Sequence, residues 1–193
     1  MSTVTGGSRF SYPFITIGTQ IWTSKNLDVS TYRNGDPIPQ VTDFIQWQYL
    51  TTGAWCYYNN DDANGPIYGK LYNWYAVNDQ RGLAPSGWHV SSNAEWSTLF
   101  SYLGNISTSG GKLKETGTSH WNSPNTGATN STGFTGLPGG YRDDAGSFST
   151  PNTTTIWWTS TQGYGRQLNY NSAGSVIFGA SLVSGFSVRL IKD

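Results

Sequence analysis

Tryptophan and glycine together restrict this chain more than any other feature. Nine Trp and 24 Gly are spread over 193 residues, and aromatic residues make up 15% of the whole. Rings of that size must be largely buried. Glycine at that density interrupts regular elements every few residues and permits tight turns. Many short strands carrying large side chains are therefore expected, and a helix bundle is disfavoured. The length fits one domain whose core suffices without cross-links.

The charge balance narrows the partners. Lys plus Arg equals Asp plus Glu, and charged residues are only 11%. That leaves no electrostatic footprint for nucleic acid or an anionic membrane. The single cysteine, Cys56, rules out an intramolecular disulfide framework, and between Trp55 and Tyr57 it reads as a small buried hydrophobe. His89 and His120 leave little material for a transition-metal site, so no metal or cofactor is expected. Residues Met1 to Phe10 show no basic segment followed by an apolar run, and no span reaches membrane length. A soluble chain without a secretion signal or membrane insertion is the expectation.

Read in order, Met1 to Ser11 is rich in Ser, Thr and Gly and reads as a frayed arm, so residues 1–13 are expected to be flexible. Phe14 to Trp22 contains two apolar runs about Gly18-Thr19, a hairpin pattern. Asn34-Gly35-Asp36-Pro37 is a turn, Val41 to Trp55 is ambiguous, and Asn59 to Pro66 is loop. Two short helices are predicted. Leu71, Trp74 and Tyr75 stand at helical spacing within Gly69 to Val77, and Ser92-Asn93-Ala94-Glu95 is a capping box that opens a helix with Trp96, Leu99, Phe100 and Leu103 on one face and Gly104 at its end. After Gly104 the pattern reads as turns. Terminal strands follow at Ile156 to Ser160, Gln167 to Tyr170, Ser175 to Phe178 and Phe186 to Ile191. The first strand can pair with the last, closing the sheet.

The stretch Gly163 to Ser184 mixes Tyr, Asn, Ser, Ala, Ile, Phe, Leu and Val with no clean period; only Leu168, Tyr170 and Val176 look placed to face inward. Tyr supplies rigid contact area and Ser, Asn and Gly supply adaptable hydrogen bonds, which is the composition of a recognition surface. An ordinary hairpin edge with loops has the same composition.

Several stretches resemble the Fibrobacter succinogenes major paralogous domain, a C-type-lectin-like fold related to the formylglycine-generating enzymes. Among them are Ile17-Gly18-Thr19-Gln20-Ile21-Trp22, Trp55-Cys56-Tyr57-Tyr58-Asn59-Asn60-Asp61, Gly69-Lys70-Leu71-Tyr72-Asn73-Trp74-Tyr75, and Gly82-Leu83-Ala84-Pro85-Ser86-Gly87-Trp88-His89-Val90. Gly110-Gly111-Lys112-Leu113-Lys114, Leu137-Pro138-Gly139-Gly140-Tyr141-Arg142, Trp157-Trp158-Thr159-Ser160-Thr161 and Gly185-Phe186-Ser187-Val188-Arg189 continue the match in the same order. The resemblance implies an α+β, C-type-lectin-like domain over 14–193, with two short helices and a small antiparallel sheet with long loops. It further implies a variable protein of a diversity-generating retroelement, in which mutagenised adenines turn Asn codons into a restricted residue set. Such codons can yield Ile, Phe, Gly, Ala, Ser, Leu and Val but not Lys, Glu, Gln, Met or Trp, and none of those five occurs from Leu168 to Ser187.

Enzymatic activity is not expected. The formylglycine-generating enzymes use active-site cysteines and this chain has only Cys56; His89 reads as structural and His120 as a loop residue. The loop Asn60 to Gly65 starts like a calcium loop, but Leu71 stands where the bidentate Glu belongs, so a turn held by Asx side chains is preferred. The expected function is recognition through a variable region at 163–184. Tyr164, Ile177, Phe178, Leu182 and Val183 would supply buried contact, Arg166, Asn169, Asn171 and Ser172 orientation, and Ala173, Ser175 and Ala180 the remaining surface. The partner would be a protein or other surface ligand, met at a virion tip or a cell surface. An invariant structural or adhesive domain of the same family is the alternative.

Overall fold

The computed structural model describes residues 2–6 and 10–193, with side chains from Tyr12 onward. Its strands are short, as the glycine content requires. They are β1 (Ser2–Gly6), β2 (Phe10–Ile17), β3 (Gln20–Thr23), β4 (Trp55–Cys56), β5 (Leu71–Tyr72), β6 (Trp88–Val90), β7 (Tyr141–Arg142), β8 (Phe148–Ser149), β9 (Thr154–Trp158), β10 (Tyr164–Asn169), β11 (Val176–Gly179) and β12 (Leu190–Lys192). Helices α1 (Phe44–Gln48), α2 (Gly65–Tyr68), α3 (Trp74–Val77), α4 (Asn93–Leu103) and α5 (Ile106–Leu113) lie between them. The class is α+β, and none of the described helices is long and apolar enough to cross a membrane.

The predicted hairpin is β2–β3, turning at Gly18 with φ 62°. β12 then lies between β3 and β6, with Ile191 opposite both Trp22 and His89, so the far ends of the chain share one sheet in the order β1-β2-β3-β12-β6. Residues Ser2–Gly6 of the expected arm pair in register with Phe10–Phe14; Met1 and residues 7–9 of that arm lie outside the described residues.

A second sheet, β11-β10-β9, separates two cores. Strand alternation sends Trp157 and Trp158 to opposite faces. Trp157 joins Trp22, Trp96, Leu99, Phe134 and Leu168, while Trp158 joins Ile156, Phe186, Val188 and Tyr72. Within the first core Trp96 stacks on Trp157 at 5.6 Å and meets the tilted ring of Trp22 at 4.8 Å. A third, smaller cluster gathers Trp47, Ala54, Cys56 and Leu71. Cys56 is the buried hydrophobe expected, and burial pushes its thiol up to about 12 against the opposing pull of Arg142.

Helix α4 follows the prediction. Ser92 Oγ accepts from Glu95 N, the Glu95 carboxylate accepts from Ser92 N, and Trp96, Leu99, Phe100 and Leu103 are buried. The helix expected over Gly69 to Val77 is corrected to α3 alone. Gly69 takes φ 72°, Leu71–Tyr72 pairs with Trp55–Cys56, and the Asn73 side chain caps α3 only at Ala76 N. The spacing of Leu71, Trp74 and Tyr75 thus spans a strand, a cap and one helical turn.

Helix α5 runs where only turns were expected. Gly110 and Gly111 argue against a helix by propensity. They are there for space: a Cβ at Gly110 would stand 2.2 Å from Gly174 O, and one at Gly111 2.1 Å from Gly127 O. Two loops thereby close onto the helix surface. In the expected Asx turn, Asp61 Oδ1 accepts from Ala63 N.

Candidate recognition surface

Residues 163–184 form β10, β11 and the two loops that follow them. The register sets Ile177 opposite Arg166, Phe178 opposite Gly165 and Gly179 opposite Tyr164. Tyr164, Arg166 and Leu168 point to the face covered by α4, and Gly165 and Gln167 to the other. Gly165 is required there, because a Cβ would meet Ile156 Cγ2 at 2.8 Å. β11 is an edge strand, so its side chains stand partly clear on both faces.

Exposure within the segment is uneven. Tyr164, Val176 and Ile177 are 45%, 48% and 51% exposed, and Asn171 is open to solvent. Val176 was expected to face inward; opposite the half-buried Gln167 on an edge strand, it is left about half exposed. Leu168 is buried as expected, and Tyr170 packs partly on the same core. Phe178 leans on the core with its ring 6.0 Å from Phe186, and Ala180 and Leu182 also pack against that cluster. Val183 packs on the Trp47 cluster. Asn169, Ser172, Ala173 and Ser175 are half-buried.

Arg166 is the clearest correction. Expected at the surface as an orienting group, it is 2% exposed. Its Nη2 donates to Asn93 O at 3.2 Å and to Ser97 Oγ at 3.3 Å, and the guanidinium lies over the Phe100 ring at 5.7 Å. Burial lowers its pKa below the usual arginine range. It pins β10 to α4 and is part of the scaffold.

The loop between β10 and β11 is held through its main chain. Lys114 Nζ donates to the carbonyl oxygens of Asn169 (3.0 Å), Ser172 (2.9 Å) and Thr126 (2.9 Å). Burial pulls this lysine down to about 8. Gly111 N donates to Ala173 O, Thr126 N to Tyr170 O, and Ser175 N to Ile106 O. Beyond β11, Ala180 N donates to Gly163 O and Trp74 N to Leu182 O. These bonds do not depend on which side chains the segment carries. Side-chain ties do occur at Asn169, whose Oδ1 accepts from Thr154 Oγ1 and Gln167 Nε2.

The anchor Lys114 escaped sequence reasoning. Its motif, Gly110-Gly111-Lys112-Leu113-Lys114, is visible, but the carbonyls it serves lie 12 to 58 positions away. The exposure of Val176 was equally hidden, since only strand order tells an edge from a centre. An open groove of about 490 Å³ also borders the segment, lined by Arg166 with Ser97, Phe100, Ser101 and Ile106 of α4 and α5.

A family model described as the Fibrobacter succinogenes major domain matches residues 15–192. Comparison with curated proteins and with solved structures finds no match.

Proposed function

The chain belongs to the Fibrobacter succinogenes major domain family, and from that premise we propose that it is a non-enzymatic recognition protein. On this reading it is a variable protein of a diversity-generating retroelement, displaying its C-terminal segment on a C-type-lectin-like scaffold at a virion tip or cell surface. The observation that carries the proposal is the main-chain anchorage of residues 169–182. Lys114 and Gly111 grip carbonyl oxygens, Trp74 N grips Leu182 O, and the segment's fold is thereby uncoupled from most of its side chains. Tyr164, Val176 and Ile177, half-exposed on adjoining strands, offer the apolar contact a partner would bury.

The recognition set is narrower than the whole segment. Tyr164, Asn171, Val176, Ile177 and Ser181 are free to vary, and Asn169, Ser172, Ala173, Ser175, Phe178, Ala180, Leu182 and Val183 vary within packing limits. Arg166 and Leu168 are fixed by packing and do not vary. Exposed substitutions cost about 0.5 kcal/mol or less each. A library randomised at Tyr164, Asn171, Val176, Ile177 and Ser181 should therefore keep a cooperative melt in most members while changing what is bound. A general collapse of folding would remove the proposal. In the flanking DNA, a near-copy of the segment's coding sequence that differs at adenines, beside a reverse transcriptase gene, is the expected genetic companion.

A second reading, an invariant structural or adhesive domain, is favoured by the packing of Phe178, Leu182 and Val183 on the cores. Absence of the template repeat would select it.

A further inference from the structure

The groove beside Arg166 has the makings of a carboxylate site. Every other buried cation is well supplied with acceptors. Lys70 has the Asp28 carboxylate, Lys114 has three carbonyls, and the Arg142 guanidinium donates to the carbonyls of Val41, Thr42 and Gly146. Arg189 reaches Asn26 Oδ1 and the carbonyls of Thr23, Phe134 and Thr135. Arg166 has only two acceptors, both on Nη2 and both longer than 3.1 Å. Its Nε is buried without a partner, and among the described residues Nη1 makes no hydrogen bond and no carboxylate lies within ion-pair reach.

Leaving a buried cation without a counter-charge is costly. The groove that it lines contains no acid, and it lies where α4 ends and α5 begins. The carbonyls of Ser101 and Leu103, which would repel an anion, are taken by Gly104 N and Lys112 Nζ. Asn105 Oδ1 is spent on Ser107 N and Oγ, which leaves its amide hydrogens as donors, and no partner holds the Ser101 hydroxyl among the described residues. The apolar walls are Phe100 and Ile106. Ile177 is the cross-strand neighbour of Arg166 and Tyr164 lies two residues along the same face.

We propose that this groove binds the carboxylate of an acidic side chain from a protein partner, with Arg166 supplying the charge and Ser101 and Asn105 the flanking hydrogen bonds. An acidic peptide fits better than an acidic sugar because Phe100 and Ile106, which line the groove, and Ile177 and Tyr164, the neighbours of Arg166 on the sheet, offer large apolar side chains. The inference rests on the recognition reading for the identity of the partner, but anion binding by the groove can be measured without it.

The test is a titration of the full, isotope-labelled chain by NMR, following the Arg166 Nε–H signal and the amides of residues 101–106. The probes are acetate, a short Glu-rich peptide, glucuronate and sulfate, against chloride at matched ionic strength. Saturable shifts with acetate, and tighter binding of the Glu-rich peptide, are expected. Ser101→Glu places a carboxylate at the mouth of the groove without touching Arg166, and should weaken acetate binding about tenfold or more in a protein that still melts cooperatively. Arg166→Met should abolish it; should that variant not fold, Ser101→Glu decides alone. No saturable shift in the wild type, or binding unaffected by Ser101→Glu, would overturn the site. Sulfate binding tighter than acetate would overturn the carboxylate, and glucuronate binding tighter than the peptide would overturn the acidic protein partner. Failure here leaves the library experiment intact, and a library that does not fold leaves acetate binding intact.

Discussion

Lys114 shows how a buried charge is kept in a chain with few acids. Its ammonium meets carbonyl dipoles from two separate segments in place of a carboxylate, and so ties Thr126 to the loop at Asn169 and Ser172. Charge-assisted hydrogen bonds of this kind are individually strong. Lys114→Met keeps the stem but strands all three carbonyls, and should cost about 2–4 kcal/mol; urea unfolding measures the loss, and amide exchange should quicken at residues 169–175. His89 makes a pH-dependent contribution of definite sign. Its Nδ1 lies 2.6 Å from Asp193 Oδ1 and its Nε2 2.7 Å from Glu95 Oε1. Burial works against protonation, but the two carboxylates outweigh it and raise the pKa above the ordinary value. A raised folded-state pKa gives stability that is fully present below the unfolded value, about 6.5, and is lost as pH rises through the folded one. Melting temperatures of the wild type and His89→Gln should differ at about pH 5.5 and converge on the alkaline side. A gap that widens with pH would refute the linkage.

The elements divide by whether their cause is local. Helix α4 could be read directly because a capping box starts it, a four-residue apolar stripe directs it and Gly104 stops it. The hairpin β2–β3 could be read for the same kind of reason, a turn signal between two apolar runs. Helix α5 could not, because its glycines serve the loops at 127 and 174 rather than the helix. Gly110→Ala is the measurement at this scale. In an open helix the change would stabilise by roughly 0.5–1 kcal/mol; here the new methyl strikes Gly174 O, so a net loss of about 1–3 kcal/mol is expected. Thermal or chemical denaturation gives the sign, and a gain would mean that the loop is free to move away. The two-residue strand β5 falls within a helical spacing because its partner, β4, comes from an earlier part of the chain, Trp55 opposite Tyr72 and Cys56 opposite Leu71, and no local pattern announces it.

For the whole molecule, β12 is the closing piece, bonded on one side to β3 and on the other to β6. Removing residues 190–193 would leave β3 and β6 without a shared neighbour and take away the cross-strand partners of Trp22 and Val90. Near-UV circular dichroism of the truncated chain should show loss of fixed aromatic packing, whereas a native-like spectrum would show that the hairpin and α4 suffice. Residues 163–184 are bracketed by β9, buried along its length, and by β12, buried at Leu190 and Ile191. By itself the sequence determined the α+β class, the family resemblance, α4 and the hairpin, because each is written in neighbouring residues or in the period of apolar ones; the expected pairing of the first strand with the last is replaced by β12 pairing with β3 and β6. Only the tertiary structure decided that Arg166 turns inward, that Val176 stands on an edge, that Phe178 leans on a core and that Lys114 holds the loop. Those four depend on which strand lies outermost and on which carbonyls converge from distant segments, and no local spacing carries that information.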